Sequence, residues 1–84
     1  MNRVVPDDAL TSEGLEFARR LAAGPTKAHG ATKAILRAFR EGGVARADEI
    51  TPDTMGALFH TEDLQNAVKT FLSEGPGKAT FEGR

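Results

Sequence analysis

There is no cysteine among the 84 residues of this chain. Its absence excludes disulfides, thiolate metal sites and cysteine nucleophiles at once. A domain of this size buries only about 60–65% of the surface its unfolded chain exposes, so stability rests on a small apolar core without a covalent supplement. Long apolar runs are also missing, and none approaches the roughly 18 residues of a membrane span. The start, Met1-Asn2-Arg3-Val4-Val5-Pro6, is too short for a signal-peptide core and runs directly into Asp7-Asp8. The lack of cysteine agrees with a reducing compartment, and the chain is expected to be soluble and cytoplasmic.

An excess of one charge is missing too. The formal net charge is −1, whereas nucleic-acid binders carry a strongly basic face. Arg19, Arg20, Lys33, Arg37 and Arg40 gather in the first half, but aspartates and glutamates offset them. Neither nucleic acid nor a membrane is expected as a partner. Hydrophobic residues make up 39% of the chain, more than disordered sequences carry, and residues 1–84 read as one helical domain.

Signals for catalysis are equally sparse. The two histidines, His29 and His60, lie far apart in sequence and lack the i, i+4 spacing of a zinc-binding helix. They read as ordinary surface or helix-end residues, and no metal site is expected. Ser12 and Ser73 have no Gly-x-Ser-x-Gly elbow around them. Gly75-Pro76-Gly77-Lys78 lacks the full frame of a phosphate loop, and no helix follows it. The acidic pairs Asp7-Asp8 and Glu62-Asp63 read as helix starts, where carboxylates meet the positive end of the dipole.

What is present is helical punctuation. Arg3-Val4-Val5-Pro6 should be extended, and Asp7 or Asp8 offers an N-cap for a first helix over 8–23 carrying Leu10, Phe17, Ala18 and Leu21. Gly24-Pro25 ends it and begins a second helix, from Pro25 or Thr26 to Glu41. The stripe of that helix is Ala28, Ala31, Ile35, Leu36 and Phe39, with Gly42-Gly43 as the stop. The stretch from Val44 to Ile50 is ambiguous. Thr51-Pro52-Asp53 signals a short third helix, capped by Thr51 and carrying Met55, Leu58 and Phe59. Thr61 caps a fourth, in which Leu64, Ala67, Val68, Phe71 and Leu72 follow at i, i+3, i+4, i+7 and i+8. Gly75-Pro76-Gly77 ends that helix. The expected fold is all-α: a small bundle of three to four helices, a short extended N-terminal segment and an irregular C-terminal tail.

Two all-α functions fail on their motifs. An acyl carrier protein needs Asp-Ser-Leu at a helix start, and Glu62-Asp63-Leu64 lacks the serine. A helix-turn-helix reading through Lys33, Arg37 and Arg40 lacks the basic surround.

Several stretches, in order and over essentially the whole chain, resemble the C-terminal third of the crotonase superfamily, the enoyl-CoA hydratases and isomerases. Asn2-Arg3-Val4-Val5-Pro6 is similar to its closing strand. Leu21-Ala22-Ala23-Gly24-Pro25 is similar to its helix junction, and Thr32-Lys33 to a recurring Thr-Lys. Leu58-Phe59-His60-Thr61-Glu62-Asp63 with Phe71-Leu72 resembles the run into its last helix, and Phe81-Glu82-Gly83-Arg84 the family ending.

The resemblance implies an acyl-CoA enzyme family of fatty acid metabolism whose oxyanion hole and catalytic carboxylates sit in a spiral domain without counterpart in these residues. It therefore implies a C-terminal fragment with no catalytic residue of its own, inactive alone and needing no cofactor beyond the family's acyl-CoA substrate. It further implies self-association, as trimers in the family, and contact with the adenine end of CoA through Phe71, Lys78 and Lys33. The chain carries Ser73-Glu74-Gly75-Pro76-Gly77 where relatives carry a basic run, and Gln65-Asn66-Ala67 where they carry Arg-Glu-Gly. Phe71 also reads simply as part of the apolar stripe. The alternative from another class is a free-standing helical module that binds a protein partner.

Overall fold

A computed structural model describes all of residues 1–84. The chain is all-α and contains no strand. A 3-10 turn at Asp7–Ala9 leads into α1, Leu10–Ala22. Helix α2 spans Thr26–Gly56, a second 3-10 turn covers Ala57–His60, and α3 spans Glu62–Glu74. Residues 75–84 form an irregular tail. No helix is long and apolar enough to cross a membrane.

The N-terminal start differs from the expectation. Neither Asp7 nor Asp8 caps a helix, and no side chain caps either the 3-10 turn or α1. Pro6, at φ −58° and ψ 150°, sets the turn instead, and its carbonyl accepts from the Ala9 amide at 3.0 Å. The aspartates then lie in the first turn, where their charge suits the exposed backbone N–H groups. Arg3 folds back along α1 and pairs with Glu13.

Helix α2 combines two expected elements and the ambiguous stretch between them. Gly42 (φ −145°) and Gly43 (φ 72°) are not helical, so α2 is two helical arms that abut across a kink. Gly43 adopts the left-handed backbone that side chains resist. A Cβ on Gly42 would come within 2.6 Å of the Arg46 Cβ. Val44 to Ile50 is helical, and Thr51 caps nothing: its hydroxyl donates to the Ala47 carbonyl at 2.7 Å, the back-bond of a residue already inside a helix. Pro52 consequently lies in the helix interior. It has no N–H for the carbonyl four residues back, that of Asp48, a residue at the exposed surface where water can take the donor's place.

Burial is slight. Only Ala31, Ala38 and Asp63 are buried. The sheltered side of the first arm of α2 carries Ala28, Ala31, Ile35 and Ala38, whereas Leu36 and Phe39, expected in its stripe, lie exposed. Small residues admit the close approach; the large ones face away. Helix α1 packs chiefly on its own 3-10 turn, leaving Leu10, Leu15, Phe17 and Leu21 about half exposed or more.

The molecule is a flat, open plate of 43 × 40 × 19 Å. Its radius of gyration is 16.1 Å, against about 12 Å for a compact chain of this length. Its accessible surface is 6835 Å², about 2,000 Å² more than the size scaling of compact monomers gives.

Candidate functional site

The most organised region is the meeting point of the α2 start, the second 3-10 turn, α3 and the tail. Thr61 begins it. Its backbone is extended (φ −81°, ψ 145°), its Oγ1 accepts from the Leu64 amide at 3.2 Å, and the same hydroxyl donates to the Leu58 carbonyl at 2.6 Å. One side chain thus closes the 3-10 turn and caps α3, as the sequence predicts for the cap.

Asp63 follows in the first turn of α3 and is 5% exposed. Its two carboxylate oxygens accept the amides of Glu82 and Gly83, each at 2.8 Å, and its own amide donates to the Arg84 carbonyl at 2.7 Å. The tail is clasped by three bonds to one residue. The amide of Glu82, first, with those of Gly83 and Arg84, holds the Asp63 carboxyl below its ordinary value against the opposing effect of desolvation. Arg84 pairs with Glu82 and lies 3.7 Å from the Glu62 carboxylate. These contacts, the Glu82 hydrogen bond foremost, raise the Arg84 guanidinium above its usual range. Gly83 adopts φ 83°, and a side chain there would approach the Thr26 hydroxyl at 3.7 Å.

The clasp seats Phe81. Its half-buried ring lines a small apolar cavity of about 140 Å³ with Pro25, Ala28, Leu58, Leu64 and Ala67. Reading Glu62-Asp63 only as a helix start therefore captured Asp63's position and missed its partner. The available signal was an aspartate at a helix start together with a terminal Phe-x-Gly.

The residues the resemblance assigns to CoA lie on two surfaces. Phe71 is exposed on α3 and lines an open apolar hollow of about 330 Å³ with Leu64, Val68, Leu72 and Ala79. Lys78 lies in the tail between Gly77 and Ala79, both of which line that hollow. Lys33, on α2, borders a different hollow with Pro25, Ala28, His29 and Thr32. The structure places Lys78 close to Phe71's hollow and Lys33 at another.

The histidines separate in the same way. His29 rests against the helix junction, its Nε2 2.8 Å from where a Cβ on Gly24 would sit, so a side chain there would displace the ring. His60 ends the second 3-10 turn. No group of three histidines, aspartates or glutamates is placed to hold a metal ion. No buried polar side-chain atom lacks a partner. The arrangement can hold a peptide segment and present apolar faces. Compared with known protein families, curated proteins and solved structures, the chain matches none.

Proposed function

We propose that this chain is the C-terminal helical region of an enoyl-CoA hydratase/isomerase-like protein, which serves assembly and lends a surface to the adenine end of an acyl-CoA. The observation that carries the reading is the scarcity of burial: two alanines form the whole apolar interior, while Phe17, Leu36, Phe39, Val68, Phe71 and Leu72 stay exposed. Monomeric proteins rarely leave apolar surface on this scale uncovered. The excess of about 2,000 Å² matches one subunit's share of a large obligate interface, in which about 2,000–5,000 Å² is buried in total.

The order of motifs ending in Phe81-Glu82-Gly83-Arg84 supports the family. The open apolar hollow at Phe71 supports an aromatic contact at the adenine end, and Lys78, between the lining residues Gly77 and Ala79, is the nearby cation in sequence. In this reading the oxyanion hole and catalytic carboxylates belong to the family's spiral domain, and no catalytic role is assigned to residues 1–84.

Titration of the isotope-labelled chain with CoA tests the ligand part. The reading expects saturable shifts at Phe71 and Lys78, and no hydration of crotonyl-CoA by the chain alone. Turnover of crotonyl-CoA by the purified chain contradicts it.

The second reading, a free-standing module that binds a protein partner, is favoured by the clasp, which satisfies the tail within one chain. Under that reading the chain stays monomeric without its partner and ignores CoA.

A further inference from the structure

The contacts that hold the tail do not depend on its being joined to α3. All three clasp bonds run between Asp63 and residues 82–84. The ring of Phe81 is held by shape, against Pro25, Ala28, Leu58, Leu64 and Ala67. Gly83 is selected by its backbone, at φ 83° beside Thr26. The groove thus reads three features of a short segment: an apolar ring, two successive amides after it, and a glycine in left-handed conformation. The Glu82 side chain takes no part in the reading and turns to Arg84.

We propose that this groove is a recognition site for a Phe-x-Gly segment in trans as well as in cis, and that its partner is the tail of a second copy of the chain. The connection between α3 and the tail is suited to opening. Gly75 and Gly77 both have positive φ, 85° and 78°, and flank Pro76. None of the clasp bonds comes from residues 75–81. Exchange would reproduce every contact of the closed form, which is why swapping of identical elements is a low-cost route to assembly. The cis tail competes only through the effective concentration of a short flexible linker, in the millimolar range. The exposed faces of α1 and α3 give copies a reason to meet. The inference rests on the clasp and stands apart from the family reading.

The test uses the full-length Phe81→Ala chain, in which the cis ring is gone, and the synthetic peptide Ala-Thr-Phe-Glu-Gly-Arg. The expected result is saturable binding, with amide shifts at Asp63, Leu64 and Ala28. Binding should fall by about tenfold or more when Asp63→Asn is added or when the peptide's phenylalanine is replaced by alanine. A helical Phe81→Ala chain that ignores the peptide overturns the proposal. Should that variant lose its helicity, mixed labelled and unlabelled wild-type chains decide the matter. Intermolecular contacts from the Phe81 ring to Leu64 and Ala67 that grow with concentration support exchange, and their absence in the associated protein overturns it.

Discussion

The Asp63 carboxylate and the Gly83 amide meet at 2.8 Å across twenty positions of chain. The neighbouring Glu82 amide meets the other oxygen at the same distance. Few side chains in this protein make a bond over so long a span, and this one decides where the tail lies. Replacing Asp63 by asparagine keeps the shape and leaves one acceptor oxygen, so one tail amide loses its partner. Amide exchange at Glu82 and Gly83 should accelerate strongly in Asp63→Asn, while amides within 64–74 change little. Unchanged protection at both tail amides contradicts the clasp.

The same carboxyl gives the clasp a pH limit. Because tail amides lower its value in the folded protein, its contribution is fully present above the ordinary carboxyl value of 3.8 and is lost as pH falls through the lower folded value. The charged groups around it are Glu62, Lys69, Glu82 and Arg84. Tail amide shifts followed by NMR should stay constant from neutrality to about pH 5 and move together below pH 4. Release of the tail near neutrality contradicts the assignment.

Gly83 must supply φ 83°, a conformation that costs other residues about 1–2 kcal/mol. Gly83→Val should therefore loosen the tail by about that amount, read as weaker amide protection at Glu82 and position 83. Gly14, where a Cβ would meet nothing within 4 Å, lies inside α1 and gains helix propensity on replacement by alanine. Helicity by circular dichroism should rise in Gly14→Ala and not in Gly83→Val.

Thr61→Ala removes the acceptor for the Leu64 amide and the donor to the Leu58 carbonyl. A lost cap of this kind costs about 1 kcal/mol, with a range of roughly 0.5–2. Urea unfolding should show a lower midpoint for Thr61→Ala, and Thr61→Ser should recover most of it. Equal stability of all three chains would show that Thr61 does not cap α3.

Local pattern made much of this fold legible. The Thr61 cap and the stripe from Leu64 to Leu72 are i, i+3 relationships, and α3 forms where they place it. The glycine pair at Gly42-Gly43 ends the first arm of α2 where the sequence places the stop, and a second arm begins directly beyond it. Thr51-Pro52 misled because start signals assume a non-helical residue before them, and here 44–50 is already helical. Asp7 and Asp8 misled because Pro6 fixes a 3-10 turn first. The exposed Leu36 and Phe39 show that periodicity locates an apolar stripe without saying which part of it is covered. Asp63 and Gly83 have no periodic relation at all. Their pairing is a tertiary fact, set by a tail that returns across the α3 start.

Sedimentation equilibrium over a wide concentration range tests the central claim most directly, that this is an assembly surface in need of cover. The account predicts reversible association that buries the faces of Phe17 and Phe71, weakened in Phe17→Asp and in Phe71→Asp. A stable monomer at the highest concentration, with its helices intact, would contradict it.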